Sequence, residues 1–381
     1  MEFDWSAEQV RRRGEIVEFA KARLGADLIR RDADQSFDQA GWAAMADFGL
    51  TGLGVAEAYG GDGADPMTAA FLLEGLGHAC ADNGLLLALG AHLWGCAKAI
   101  ELAGDEDQKR RWLPRLCRSE IGALAVTEAE AGSDIARIST TARRAGDGYV
   151  IHGRKTLTTN APLADIFVVL ASVEGAPAGS ALSFFVLERG TPGLRPGPNQ
   201  PKMGARTAAL GEIELDACAA PAAHRLGPEG AGLGVFSRAM EFERNLILAP
   251  AVGTMQRLLE RSATQARERR QFGSAIGQFE HVSGMLVEMH ASLEASRALL
   301  YRAAWLKAKG RPSAHASALA KLQISESWVR ACEQALRIHG GRGYLVEAEL
   351  ERELRDAIGS RSYSGTSEVL KMLIARHLLV R

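Results

Sequence analysis

The sequence predicts a multidomain α+β protein in which a helical N-terminal domain and a C-terminal four-helix bundle flank a middle antiparallel β domain. Residues 1–120 place apolar side chains at helical spacing, residues 121–228 contain short β-rich runs between Gly- and Pro-rich connectors, and residues 229–381 return to long helical periods. A chain of 381 residues also exceeds the length at which one core usually stops growing. We therefore expect three domains with these boundaries.

Capping residues predict helix starts in the first domain. Ser6 and Gln9 have the spacing of a capping box, and Asp65 before Pro66 is typical of an N-cap with proline in the first turn. The longest apolar stretch of the chain, residues 84–100, is interrupted by polar residues and glycine. This stretch predicts a buried helix and not a membrane span.

The middle domain is predicted from five β-rich runs, at residues 123–127, 149–152, 166–171, 182–187 and 213–215. No helical period separates these runs, so an antiparallel barrel or sandwich is favoured over a Rossmann domain. In the last domain, helices are predicted over residues 233–267, 279–309, 312–338 and 367–379. Helices of these lengths are sufficient for a four-helix bundle.

Charge and cysteine usage restrict the function classes. The chain has 45 basic and 46 acidic residues, and its net charge of −1 indicates neither a nucleic-acid nor an acidic-membrane partner. Its five cysteines are widely spaced without a C-x-x-C pair, which is typical of a reducing compartment and not of a disulfide framework or a zinc site. The start of the chain also lacks a signal-peptide pattern, so we expect a cytoplasmic protein. Because the cysteines do not have the spacing of a zinc site, we expect no bound metal.

Two segments of the middle domain contain residues suited to holding a cofactor. Residues 127–134 lead from a predicted strand into a loop of small and hydroxyl residues, and such a loop lets a planar ring or a phosphate approach the backbone closely. Alternatively, Ser133 and Asp134 cap a helix that follows the strand. Residues 153–161 form, on local grounds alone, the polar edge of a hairpin.

Two charged segments of the last domain also have alternative interpretations. The charge run at residues 267–270 is typical of a solvated helix end, although the fork of an arginine also suits a diphosphate. Glu243 and Arg244 are adjacent opposite charges on one predicted helix, over residues 233–261. Without further context, such a pair commonly lies on the surface.

The run from His339 to Tyr344, the pair Arg355 and Asp356, and the run from Tyr363 to Glu368 resemble the C-terminal signature of the acyl-CoA dehydrogenase family. Further motifs of that family, in the same order and spacing, are resembled by residues 59–63, 127–134, 153–161 and 269–276. The resemblance implies the three-domain fold described above, an FAD cofactor, and a homotetramer or homodimer.

The resemblance also implies roles for individual residues. The expected FAD-binding residues are Thr127, Ser133, Thr159, Arg269, Phe272, Gly341, Thr366 and Glu368, of which Arg269 and Phe272 are supplied by a neighbouring subunit in the family. The expected substrate-binding residues are Ser133, Arg244 and Tyr363. Leu157 stands where the family usually has an aromatic residue, and Glu280 and Arg337 both stand where it usually has glutamine.

Ser364 departs from the family pattern at the catalytic position. The commonest members have there the glutamate that removes the substrate's α-proton, whereas the isovaleryl and long-chain types place their base at a position that matches Glu243. Glu243 is therefore expected to be the base, and the backbone N–H of Ser364 is expected to polarise the thioester carbonyl. The implied reaction is FAD-dependent α,β-dehydrogenation of an acyl thioester on CoA or on a carrier protein, with electron-transfer flavoprotein as acceptor.

Two other functions are compatible with the same resemblance. A flavin-dependent monooxygenase would share the fold, but relatives of that kind tend to lack both the Glu243-type base and the Gly-Thr-Ser-Glu run at residues 365–368. A catalytically degenerate subunit of a hetero-oligomeric dehydrogenase would explain the departures at Leu157, Glu280, Arg337 and Ser364.

Overall fold

The computed structural model describes residues 4–177 and 181–379. Residues 1–3, on which the expectation of a missing signal peptide partly rests, lie outside this part. The first unit is helical, and its helices are α1 (Ala7–Arg23), α2 (Leu28–Asp34), α3 (Gln39–Asp47), α4 (Pro66–Ala79), α5 (Asn83–Gly90), α6 (Lys98–Ala103) and α7 (Glu106–Arg118). The predicted capping box at Ser6 and the predicted N-cap at Asp65 are both present.

The predicted apolar helix is one continuous segment, Asn83–Ala103, with a mean hydropathy of 1.4 over its most apolar window. It is long and apolar enough to cross a membrane, but 78% of that window is buried inside the protein, as expected for a core helix. Its middle turns, Ala91–Ala97, are π-helical and connect α5 to α6. The sequence analysis does not predict this π segment, which lies at the candidate site described below.

The middle unit is built around an eight-stranded sheet. Its strands are β1 (Gly122–Ala125), β2 (Thr141–Ala145), β3 (Gly148–Thr159), β4 (Ile166–Val173), β5 (Leu182–Glu188), β6 (Leu194–Pro196), β7 (Leu210–Pro221) and β8 (Arg225–Leu226). The order is β6-β7-β3-β2-β4-β5-β8, with β1 paired to β4. Most pairings are antiparallel, as expected, but β1 and β2 both lie parallel to β4.

The last unit contains α8 (Gly232–Leu246), α9 (Ala249–Glu268), α10 (Glu280–Ala308), α11 (Ala314–His339), α12 (Leu350–Gly359) and α13 (Ser367–Leu379), with a short hairpin of β9 (Arg270–Gln271) and β10 (Ser274–Ala275) before α10. The prediction of one helix over residues 233–267 is wrong, because the chain breaks at Leu248. Pro250 lies in the first turn of α9, where its missing N–H leaves no helical hydrogen bond unmade, and this position fits a helix start after Leu248.

A buried cluster of polar side chains joins all three units. Asp356 on α12 accepts hydrogen bonds from the side chain of Asn83 (3.1 Å) in the first unit and from the backbone N–H of Ala205 (2.6 Å) in the middle unit. Arg352, one turn earlier on α12, donates to the same carboxyl group at 3.0 Å. The three units therefore hold one another in register around the candidate site.

Candidate active site

Glu243 on α8 and Ser364 on the loop before α13 are in direct contact, although 121 positions separate them in the sequence. The Ser364 hydroxyl donates a hydrogen bond of 2.5 Å to Oε1 of Glu243. Burial raises the pKa of Glu243, against the lowering effects of the Ser364 hydrogen bond and of the positive charges of Arg244 and Lys321. The predicted base, Glu243, and Ser364, which stands where the family usually has its glutamate, thus lie in one site.

The second carboxylate oxygen of Glu243, Oε2, has no hydrogen-bond partner among residues 4–177 and 181–379. A Cβ placed on Gly95, in the π segment, would lie 3.5 Å from this oxygen. Glycine therefore leaves open space next to Oε2. The two oxygens of one carboxylate have different surroundings, one bonded to the protein and the other open.

The loop around Ser364 has an uncommon backbone conformation. Ser364 has a φ of 56°, in the left-handed region, and Gly365 follows with a φ of 96°. The Ser364 carbonyl accepts a hydrogen bond of 3.2 Å from Nε of Arg244. Its backbone N–H has no hydrogen-bond partner in the described part of the chain, and it is therefore free to donate to a ligand, as the prediction requires.

Lys321 on α11 is a site residue that the sequence analysis missed. Its side chain is fully buried, and its Nζ donates to the carbonyls of Ser360 (2.7 Å) and Gly365 (2.8 Å), on both sides of Ser364. Burial, reinforced by the charge of Arg244, lowers the pKa of Lys321 to about 7. A signal was available, because this lysine lies between the apolar residues Ala320 and Ile324 on the inner face of a predicted helix.

One loop and one strand of the middle unit carry the hydroxyl residues predicted to bind the flavin. The Thr156 N–H donates to the Thr127 carbonyl at 2.9 Å, so the loop after β1 is tied to β3, which carries Thr159. The predicted helix cap at residues 133–134 is not formed, because only a short 3₁₀ turn follows and Asp134 makes no capping bond. Ser133 is exposed at this loop.

Glu128, another residue that the sequence analysis missed, anchors the same loop. Its carboxylate accepts hydrogen bonds from Lys155 Nζ (2.8 Å) and from the hydroxyl and backbone N–H groups of Ser139 and Thr140, at 2.6 to 3.0 Å. Burial alone would raise its pKa, but these bonds outweigh burial and lower the pKa to about 2. Burial lowers the pKa of Lys155 to about 8, so both partners are charged at neutral pH.

The middle-unit residues fit an FAD. The side chains of Thr127, Ser133 and Thr159 make no hydrogen bond within the described residues, so their hydroxyl groups are available to polar edges of a ligand. Leu157, two residues before Thr159, is 60% exposed with a φ of 51°. An apolar side chain held open to solvent in this way can cover the face of a planar ring.

Most of the remaining predicted cofactor residues are exposed to solvent. Arg269, Gly341 and Glu368 are exposed, and the Phe272 ring is 96% exposed at a φ of 50°. In the described part of the chain, neither Arg269 nor Phe272 makes a hydrogen bond or ion pair through its side chain.

Other predicted residues have additional roles. The Thr366 hydroxyl accepts a hydrogen bond of 3.2 Å from the Val369 N–H, which caps α13. Tyr363 is half-buried, and the Lys321 ammonium lies 5.8 Å from the centre of its ring.

Glu280 and Arg337 form no ion pair with each other in the described residues. Nor do the described residues contain a group of three or more acidic, His or Cys side chains able to hold a metal.

Three family models together match most of the chain. The N-terminal domain of acyl-CoA dehydrogenase matches residues 6–120, the middle domain matches residues 123–218, and the C-terminal domain matches residues 230–379. These matches show the family and its three-domain fold.

Full-length relatives agree with the family models. The L-prolyl-[peptidyl-carrier protein] dehydrogenase of Pseudomonas fluorescens is 37% identical over 380 residues, which cover 99% of this chain and 100% of the relative. The crystal structure of the prolyl acyl carrier protein oxidase AnaB is 44% identical, with a TM-score of 0.97 over 99% of this chain and 100% of the other. The structure of PigA with FAD and proline is 34% identical, with a TM-score of 0.96 over 99% of both chains.

These similarities favour neither the monooxygenase nor the degenerate-subunit alternative. They agree with the predicted cofactor, FAD, and with an acyl thioester substrate. The chain belongs to the acyl-CoA dehydrogenase family, and it is an FAD-dependent oxidoreductase that dehydrogenates an acyl thioester.

Proposed function

We propose that this protein dehydrogenates a prolyl group held as a thioester on a peptidyl-carrier protein, with Glu243 as the catalytic base. The observation that carries the catalytic part is the half-buried Glu243 carboxyl, which contacts Ser364, the residue at the position where the commonest relatives have their base. Full-length similarity to a prolyl-carrier dehydrogenase and to AnaB supports the substrate. A CoA thioester of a small acyl group is the second candidate.

Three residues of this chain have separate roles in the proposed reaction. Glu243 takes the proton from the α-carbon as that C–H bond breaks, and its raised pKa makes it a stronger base toward carbon. The free N–H of Ser364 donates to the thioester oxygen, on which negative charge develops. The terminal nitrogens of Arg244, which have no partner in the described residues, bind the carrier arm. Bound FAD supplies the acceptor for the β-hydrogen and its electron pair, which leaves a carbon–carbon double bond.

The cofactor site is completed by a second copy of the chain. Arg269 makes no side-chain hydrogen bond or ion pair in the described residues. The Phe272 ring lies edge-on to Phe279, with ring centres 6.1 Å apart, but it is still 96% exposed at a positive φ, which fits a contact made on assembly. We expect a homotetramer or homodimer, with reduced flavin passing its electrons to an electron-transfer flavoprotein. A cytoplasmic location fits the five cysteines, which are all buried and free.

The substrate is tested by mixing the holoenzyme, without oxygen, with prolyl-carrier protein, prolyl-CoA and butyryl-CoA and following the flavin band. We expect fast bleaching with the prolyl-carrier thioester. Faster bleaching with either CoA thioester would contradict the carrier part of the proposal. Reoxidation with electron-transfer flavoprotein or with dioxygen then identifies the acceptor.

Glu243→Gln tests the base. Gln cannot take a proton, so we expect bleaching to slow by about 10²- to 10⁴-fold while flavin stays bound. Glu241→Gln is the matched control, because Glu241 lies on the same helix but is paired with Lys307 at 3.0 Å. If Glu243→Gln reduces its flavin at the wild-type rate, another group is the base.

A further inference from the structure

We propose that the Ser364 hydroxyl is a positioning group that holds Oε1 of Glu243 and leaves Oε2 as the oxygen that takes the substrate proton. This inference rests on the proposed function, in which Glu243 is the base. It goes beyond that function because it assigns a role to the Ser364 side chain, whereas the reaction as derived above uses only the backbone N–H of this residue.

The two oxygens of Glu243 have distinct neighbours. Oε1 lies 2.5 Å from the Ser364 hydroxyl and accepts its proton in a hydrogen bond. Oε2 has no partner in the described residues and faces the space that Gly95 leaves open. A carboxylate with one oxygen fixed has few remaining rotamers, so its free oxygen is held in one direction before substrate binds.

The loop that carries the hydroxyl is itself fixed from two sides. Lys321 donates to the Ser360 and Gly365 carbonyls, and Arg244 donates to the carbonyl of Ser364. A non-glycine residue at a φ of 56° persists only where surrounding contacts determine it. One residue therefore supplies both donors: the Ser364 N–H for the thioester carbonyl and the Ser364 hydroxyl for the base. The position of the carbonyl relative to the base is then determined by the conformation of this residue.

The hydrogen bond also affects the charge state of the base. The groups that act on Glu243 are the Ser364 hydroxyl, Arg244 on its own helix and Lys321 on α11, and all three favour the carboxylate. Tyr363 also lies within reach of the Glu243 charge, and burial raises the pKa of this tyrosine, so it stays neutral. Removing the hydroxyl therefore raises the pKa of Glu243. Only the carboxylate form takes a proton. The fall of the reduction rate at low pH, which is the acid limb of its pH profile, therefore moves to higher pH.

The test uses Ser364→Ala and Ser364→Gly in the holoenzyme, with Ser362→Ala as control. Ser362 lies in the same loop, is exposed and makes no side-chain hydrogen bond in the described residues. The rate of flavin reduction at saturating thioester is measured against pH by anaerobic stopped flow, together with the apparent affinity for the thioester and the flavin content.

We expect both Ser364 variants to lose about tenfold in the reduction rate, the size of one hydrogen bond to a charged group. We also expect an upward move of the acid limb by about one pH unit, with thioester affinity and flavin content unchanged. If both variants keep the wild-type reduction rate and the wild-type acid limb of the pH profile, the proposal is overturned. A loss in Ser364→Ala that is absent in Ser364→Gly would also overturn it, since the backbone strain would then be responsible.

Glu243→Gln, measured in parallel, separates this inference from the function on which it rests. If Glu243→Gln is inactive and the Ser364 variants behave as wild type, only the positioning role fails. If Glu243→Gln bleaches its flavin normally, the base assignment fails.

Discussion

At the scale of single residues, buried charges with several partners determine where the reactive groups stand. Glu128 holds the loop of Thr127, and Lys321 holds the loop of Ser364, although neither is among the reactive residues proposed here. Each charge has a high desolvation cost, which is offset only while its hydrogen bonds are complete. Loss of one partner is therefore expected to disturb a loop that touches cofactor or substrate.

Glu128→Gln tests this expectation in the middle unit. It leaves the buried Lys155 cation without a carboxylate, so we expect a loss of about 3 kcal/mol in the free energy of unfolding at neutral pH. The pKa of Glu128 is lowered in the folded state from 4.5 to about 2, so its contribution is present above pH 4.5 and is lost as the pH falls toward 2. Denaturant unfolding near pH 7 and near pH 3 measures the difference, which should shrink at the lower pH.

Glu130→Gln is the control for this change, because Glu130 lies in the same loop but is exposed and makes no ion pair in the described residues. Equal unfolding free energies for Glu128→Gln and Glu130→Gln at neutral pH would contradict the anchoring role of Glu128.

At the scale of elements, the sequence predicts regular helices well and irregular ones poorly. The caps at Ser6 and Asp65 were predictable because a helix start depends on a few neighbouring residues. The π segment Ala91–Ala97 was not, since its extra residue per turn depends on what packs against it. The parallel pairings of β1 and β2 with β4 also depend on long-range order, which a local alternation of apolar residues does not contain.

Gly95→Ala tests the role of the π segment. The added methyl group would lie 3.5 Å from Oε2 of Glu243 and 3.3 Å from the Leu124 Cβ, so Leu124 must shift by a few tenths of an ångström. The methyl group would then occupy the space next to Oε2, where we expect the substrate's α-carbon. We expect flavin reduction at saturating thioester to slow by about tenfold without a change in its acid limb, since the Ser364 hydrogen bond remains. Gly14→Ala on α1, where a Cβ meets nothing within 4 Å, is the control. A wild-type rate in Gly95→Ala would place the α-carbon elsewhere.

At the scale of the whole molecule, the site is assembled from all three units. Gly95 comes from the first unit, Thr127 and Thr159 from the middle unit, and Glu243 and Ser364 from the last unit. Family motifs allowed most of these residues to be predicted, whereas the contact between Glu243 and Ser364 depends on a fold that brings distant segments together. The boundaries at residues 120 and 228 stay predictions.

Arg269→Ala tests whether assembly completes the cofactor site. An arginine bound to a diphosphate contributes charge-assisted hydrogen bonds, so its loss should weaken FAD binding by about 10- to 100-fold. Flavin content after gel filtration, with the oligomeric state from sedimentation, measures the effect. Arg267→Ala is the matched control, because Arg267 bonds only to Thr264 on its own helix in the described residues. Full flavin content in Arg269→Ala would contradict the proposed role.

The buried polar cluster around Asp356 has a consequence for exchanging domains between related proteins. The middle unit meets this carboxyl through the peptide N–H of Ala205, which any amino acid except proline supplies. One of its bonds to the first unit comes from the Thr207 hydroxyl, which donates to Asp82 at 2.5 Å. A chimera that takes its central segment from a distant homologue must therefore keep a hydroxyl residue at 207. It must also keep Glu188, which pairs with Arg115 at 2.7 Å, and Asn160, which donates to the Ala88 carbonyl at 3.0 Å. Because Glu243 and Ser364 belong to the last unit, such an exchange would leave the proposed base and its hydrogen-bond donor in place.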